Sequence, residues 1–213
     1  MKKPRVLMAD DHSLILAGLR KLVETECEVV GTVEDGRALV EAAQKLRPDL
    51  ILLDISMPHL NGFEAARQLR ILAPDSKLIF LTMHASPTYA TEAFQVGVSG
   101  YLLKRSAASE LSLAIRSVLH GQHYLTPSLT KDVLDSVLKP STGERGTSTA
   151  LTARQREVLQ LVAEGHGTKE IAMILSVSVK TVEFHKARLM QQLDLHSIAD
   201  LTKYAITQGI TSL

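Results

Sequence analysis

Over the first half of the chain, short apolar runs alternate with longer amphipathic stretches. Val6-Leu7-Met8-Ala9 is followed by Leu14, Leu16, Leu19, Leu22 and Val23 at helical spacing. Val29–Val33 precedes Ala38, Leu39, Ala42, Ala43 and Leu46, and Arg47-Pro48-Asp49 then stops that helix. Leu50-Ile51-Leu52-Leu53 precedes Phe63, Ala66, Leu69 and Leu72. Leu78-Ile79-Phe80-Leu81 precedes Ala90, Ala93 and Phe94, and Tyr101-Leu102-Leu103 precedes Leu111, Ala114, Ile115 and Val118. Strand runs that alternate with helical patterns predict an α/β doubly wound parallel sheet, here five-stranded. The runs are apolar throughout rather than alternating, as strands covered on both faces require.

The pattern then changes. Leu129, Val133, Leu134, Val137 and Leu138 predict a connecting helix over Ser128–Leu138. Lys139-Pro140-Ser141-Thr142-Gly143-Glu144-Arg145-Gly146-Thr147-Ser148-Thr149 has no apolar period and reads as a linker. From Leu151 onward the periodicity is only helical, and an all-α four-helix domain is expected. Thr152, Thr168, Ser178 and Ser197 are the candidate N-caps. Two short helices joined by the turn Ser176-Val177-Ser178 predict a helix-turn-helix. The domain boundaries expected are 1–122 for the sheet domain, 123–147 for the connection and 148–213 for the helical domain.

Chemistry sits at the strand ends. Asp10-Asp11 follows the first run, Asp54 the third, Thr82 the fourth and Lys104 the fifth. Ligands of open parallel sheets bind at the carboxyl ends of the strands. Three carboxylates suit a hard cation such as Mg²⁺. One carboxylate can serve as a nucleophile that becomes an aspartyl phosphate, and a hydroxyl and an ammonium can hold phosphoryl oxygens.

These residues resemble a CheY-like receiver domain: Asp10-Asp11, Leu53-Asp54-Ile55-Ser56-Met57-Pro58, Asn61-Gly62, Thr82 and Gly100-Tyr101-Leu102-Leu103-Lys104. Leu151-Thr152, Arg156-Glu157-Val158-Leu159, Glu170-Ile171-Ala172 and Lys180-Thr181-Val182-Glu183 with His185 resemble a LuxR-type helix-turn-helix. Together they resemble a two-component response regulator of the NarL/FixJ group. The resemblance implies Asp54 as the phosphoacceptor. It implies Mg²⁺ held by Asp11, by Asp10 largely through water, by Asp54, and by the Ser56 backbone carbonyl. Thr82 and Lys104 would bind the phosphoryl oxygens, and Tyr101 would be an aromatic switch. A sensor histidine kinase is the implied donor, and a homodimer on phosphorylation is the implied product. The chain is then not an enzyme beyond assisting its own phosphorylation and dephosphorylation.

The resemblance also implies that the second helix of the helix-turn-helix enters the major groove of promoter DNA. Ser178, Lys180, Thr181 and His185 would contact phosphate, with Thr168 and Lys169 adding to them from the preceding helix. Glu183, Phe184 and Ala187 would face base edges, and Lys186 and Arg188 make the helix locally cationic. The alternatives are an ion pair of Glu183 with Lys180 or Lys186, and packing of Phe184 against Leu151 or the turn. Gln192 stands where family members often carry Lys.

Composition narrows the picture. There are 24 Lys and Arg against 23 Asp and Glu, a net charge of +1, so DNA contact must come from a local patch. Aromatics make up only 4 % and Trp is absent, which argues against a stacking platform for single strands. The lone Cys27 can form no internal disulfide. No stretch reads as a signal peptide or a membrane span, so a cytoplasmic protein is expected. A protein-interaction switch with little DNA binding of its own is the alternative function.

Overall fold

The computed structural model describes residues 2–138 and 151–211. They fall into two compact units. The expected linker lies outside the described residues.

In the first unit the strands are β1 (Arg5–Ala9), β2 (Glu28–Val33), β3 (Leu50–Leu53), β4 (Lys77–Thr82), β5 (Gly100–Leu103) and β6 (Tyr124–Leu125). Between and after them run α1 (Ser13–Val23), α2 (Gly36–Leu46), α3 (Gly62–Leu72), α4 (Pro87–Gln95), α5 (Ala107–Leu119) and α6 (Pro127–Leu138). The sheet order is β2-β1-β3-β4-β5-β6, with every pair parallel.

The pleat sends alternate residues to opposite faces. Val6, Met8, Leu50, Leu52, Ile79, Leu81 and Leu102 pack with Leu16, Leu19 and Val23 of α1 and with Leu111, Ala114, Ile115 and Val118 of α5. The opposite face carries Leu7, Ile51, Leu53, Phe80 and Tyr101, all buried. There Phe63 of α3 meets Phe80 edge-on, 5.0 Å between ring centroids. Burial on both faces is the reason these strands read as unbroken apolar runs. Cys27 is buried in the α1–α5 layer.

The sheet has six strands, where the hydrophobic pattern predicts five. The sixth is a two-residue strand, too short to give a periodic signal. It exists because β5 would otherwise present an open edge. Thr126 N–H donates to the Tyr101 carbonyl at 3.0 Å, and the Leu103 N–H donates to the buried Thr126 hydroxyl at 3.0 Å. The chain then turns into α6, which packs against α4 through the buried Leu129.

In the second unit α7 (Ala153–Ala163), α8 (Thr168–Ile174), α9 (Val179–Leu193) and α10 (Ile198–Thr207) enclose one apolar core. Val158, Leu159, Leu161 and Val162 of α7 meet Ile171 and Ala172 of α8, Val182 and Leu189 of α9, and Leu201 and Ala205 of α10. Thr152 caps α7, taking the Gln155 N–H while the Gln155 amide oxygen takes the Thr152 N–H. Ser178 caps α9 and Ser197 caps α10. The cap of α8 is Gly167 rather than Thr168. The Glu170 carboxylate reaches back to the Gly167 N–H at 2.7 Å, so the helix starts at Thr168, one residue earlier than a Thr168 cap would set it. The turn between α8 and α9 passes through Ser176 in the left-handed region, φ 53°.

Candidate functional site

The first unit gathers its charged groups where the strand order reverses. β1 lies between β2 and β3, and connections leave it in both directions, so a crevice opens beyond its carboxyl end. Asp10 follows β1 and Asp54 follows β3, and the Asp54 N–H donates to the Ala9 carbonyl at 2.9 Å. Thr82 ends β4, and Lys104 begins a short 3₁₀ turn after β5.

Lys104 joins the acids. Its Nζ stands 2.7 Å from Asp10 Oδ2 and 2.7 Å from Asp54 Oδ2. All three side chains are buried, at 6 %, 2 % and 5 % exposure, whereas the Asp11 side chain is 36 % exposed. The Ile55 N–H donates to the second Asp54 oxygen at 2.7 Å. Burial pushes the Asp54 carboxyl above its ordinary range. The Lys104 charge and hydrogen bond pull it down without fully offsetting this, and Asp10 adds to the rise. Burial pushes the Lys104 ammonium down, but the charge of Asp54 and the hydrogen bonds to Asp10 and Asp54 outweigh it and leave the group raised.

Gly62 fixes how close the next loop comes. A Cβ there would stand 2.2 Å from the Asp54 carbonyl oxygen and 2.8 Å from the Ile55 Cα. Its N–H donates to the Ile55 carbonyl at 2.8 Å. No side chain fits between the start of α3 and the Asp54 end of β3.

A second set of contacts links Thr82 to Tyr101. Thr82 is fully buried, and its hydroxyl takes the His84 N–H at 3.2 Å. The Tyr101 ring is buried, and its hydroxyl donates to the His84 carbonyl at 2.8 Å. Burial first, then the nearby charges, pushes the Tyr101 hydroxyl far above its ordinary range, so it stays a donor. The His84 ring lies 2.9 Å from the Ser56 hydroxyl and stacks on Tyr89 at 4.7 Å. Met83, next to Thr82, is 70 % exposed.

Asp10 and Asp54 face the one ammonium and Asp11 stands beside them against His12, so the group carries a formal excess of two negative charges. That excess, and an all-oxygen carboxylate set, fit a divalent hard cation. His12 adds a nitrogen: its Nδ1 lies 2.7 Å from Asp11 Oδ1 and 3.3 Å from Asp10 Oδ1. Asp10, Asp11 and His12 are the cluster with metal-ligand spacing among the described residues. His12, His84 and Thr126 were not read from the sequence as site residues. His12 and His84 follow the strand-end residues Asp11 and Thr82 within two positions but end no apolar run themselves, and Thr126 reaches β5 only through the fold.

In the second unit, Lys169, Ser178, Lys180, Glu183, Phe184, Ala187 and Arg188 are exposed, and Thr168, Thr181 and His185 are half-buried. Among the described residues Glu183 forms no ion pair with Lys180 or Lys186, and Phe184 stays 55 % exposed instead of packing on Leu151. Gln192 is half-buried, and its amide oxygen takes a hydrogen bond from the Gln155 side chain at 2.8 Å. No helix among the described residues is long and apolar enough to cross a membrane.

Residues 6–116 match the family described as response regulator receiver domain. Residues 149–205 match bacterial regulatory proteins, luxR family. The oxygen regulatory protein NreC of Staphylococcus carnosus is 37 % identical, over 97 % of this chain and 98 % of NreC. The RcsB response regulator of Salmonella typhimurium superposes with a TM-score of 0.64 at 28 % identity, covering all of both chains. RcsB in a complex with DNA gives a TM-score of 0.59 at 28 % identity, over 95 % of this chain and 98 % of that one.

Proposed function

The chain belongs to the response regulators that join a receiver domain to a LuxR-type DNA-binding domain, and on that premise we propose that it is a transcription factor switched by phosphorylation of Asp54. The observation that carries this is the Lys104 ammonium held between the buried Asp10 and Asp54 carboxylates at the strand ends. A sensor histidine kinase is the donor. The Asp54 oxygen forms the new P–O bond as the donor's P–N bond breaks and the imidazole leaves with the electron pair.

Asp10, Asp11, Asp54 and the Ser56 carbonyl are the groups that hold Mg²⁺. Bound there, the cation supplies charge neutralisation to the phosphoryl oxygens. Lys104, already on Asp54, stays within reach of those oxygens as the carboxylate becomes an acyl phosphate, a mixed anhydride. Thr82 gives up its bond from the His84 N–H and donates its own hydroxyl proton to the phosphoryl group. Because Tyr101 holds the same His84 through the carbonyl, the two contacts bias one loop.

The output is homodimerisation and binding to double-stranded promoter DNA, in the cytoplasm. RcsB, which this chain resembles over nearly its whole length, has been seen as two dimers bound to two parallel DNAs. One recognition helix carries few cations, so a single copy binds weakly and two copies combine their energies. The boundaries 1–122 and 123–147 read from the sequence stop short of β6 and α6, which belong to the first unit, so the receiver is expected to run to Leu138. The test compares wild type with Asp54→Asn, each with a small-molecule phosphodonor and Mg²⁺. Labelling, a shift to dimer in sedimentation and tighter binding to a selected duplex are expected for wild type alone. Equal labelling of both proteins would overturn the assignment.

A further inference from the structure

On the outward face of α9, two side chains are held to each other and have no polar partner. Phe184 is a large apolar ring left 55 % exposed beside Lys180, Glu183 and Ala187. One turn along, the Arg188 guanidinium carbon stands 5.3 Å from the Phe184 ring centroid, a cation–π contact. The His185 ring meets Phe184 edge-on at 5.6 Å. Among the described residues, Arg188 donates no hydrogen bond and forms no ion pair.

This arrangement has a consequence for what the helix can bind. The guanidinium is a planar fork of N–H donors, and holding it against a ring removes part of the side-chain entropy that binding would otherwise cost. Its donor edge is left for an acceptor that offers two sites. Guanine O6 and N7 form such a pair in the major groove, and a phosphate offers another. The ring decides between them. A phosphate backbone gives Phe184 no apolar surface, whereas the thymine C5 methyl is the apolar group of the major groove. Side chains one turn apart on a helix have Cβ atoms roughly 5–6 Å apart, between one and two steps of the ~3.4 Å base-pair stack. The contact between ring and guanidinium draws the two ends together, which puts neighbouring base pairs within reach of both.

We propose that Phe184 and Arg188 act as one reading unit for adjacent thymine and guanine bases, with Phe184 on the thymine methyl and Arg188 on guanine O6 and N7. The inference rests on α9 being the DNA-contacting helix. It assigns base reading to Arg188, which charge alone would give to the phosphates.

The experiment uses the full-length protein with a phosphodonor and a duplex selected from a randomised pool. Each thymine is replaced singly by uracil, which deletes only the methyl group, and each guanine by 7-deazaguanine, which deletes only N7. One thymine and one adjacent guanine should stand out. Uracil should weaken wild type about 4-fold, the worth of one buried methyl, and 7-deazaguanine about 10-fold. Phe184→Ala should be indifferent to the uracil, and Arg188→Ala, which removes every donor, indifferent to the deazaguanine. Because the base analogues act on the unaltered protein, the result does not depend on how the variants fold. Sequence-selective binding that ignores every uracil and every deazaguanine would overturn the pair as base readers and return Arg188 to phosphate. A pool that yields no preferred duplex would overturn the DNA-binding reading itself, and the pair with it.

Discussion

The acid pocket of the receiver unit and the outward face of α9 both concentrate charge, and they treat it in opposite ways. In the pocket, Asp10, Asp54 and Lys104 are nearly buried and satisfy one another at 2.7 Å. On α9, Lys180, Glu183 and Arg188 are exposed and form no ion pairs among the described residues. A buried charge must be paired or it costs several kcal/mol, so the pocket is held as a network whose members depend on each other. An exposed charge costs little and can wait for a ligand. The first region resists the loss of any one member, and the second leaves its groups available to a ligand.

Removing a member of each set should separate the two regimes, and the pocket should respond most. Lys104→Ala leaves two buried carboxylates facing each other. It should cost the receiver unit about 3–5 kcal/mol in denaturant unfolding without metal. The variant should still take some phosphate, yet lose the phosphate-dependent gain in dimerisation and DNA binding. Wild-type stability together with a normal response would break the network reading.

Asp11 is the half-exposed member of the pocket. Asp11→Ala should therefore leave folding close to intact while weakening Mg²⁺ about 10- to 100-fold or more, since even groups behind a direct ligand have effects of that size. Calorimetric titration decides, and undiminished affinity would place the metal elsewhere.

Gly62→Ala sharpens the contrast through packing alone. Its methyl would collide with the Asp54 backbone. A loss of about 1–3 kcal/mol is expected from the forced shift, with slower labelling of Asp54 by a phosphodonor. A variant that melts and labels like wild type would show that the α3 entry has room to give.

The smallest effects belong to α9. Lys180→Ala should weaken DNA binding about equally on all sequences and lower the salt slope by about 1. Glu183→Ala should relax preference at one base pair, by about 1–3 kcal/mol if the carboxylate reads cytosine N4. Footprinting on a panel of single-base variants would distinguish them, and identical profiles would mean that neither residue reads sequence. Both variants should melt like wild type, because neither side chain is paired within the fold.

Much of this was present in the chain itself. The five apolar runs specify the strands because each is covered on both faces, and the residues that close those runs specify the acids, the hydroxyl and the amine. Thr152, Ser178 and Ser197 mark helix starts because a hydroxyl there satisfies an otherwise unpaired N–H. Other features were not legible. β6 has two residues and exists only as an edge partner of β5, so no period announces it. At α8 a glutamate reaching backward outcompetes the threonine cap, which depends on a side-chain rotamer that the sequence does not give. Local residue chemistry and period thus determined the elements, their order and the candidate site. What the tertiary structure alone decided is which groups meet: Lys104 between two acids, Tyr101 and Thr82 on one His84, the methyl-sized gap denied at Gly62, and Phe184 under Arg188. Those contacts join residues far apart in the chain or depend on side-chain geometry, and neither is written in hydrophobic spacing.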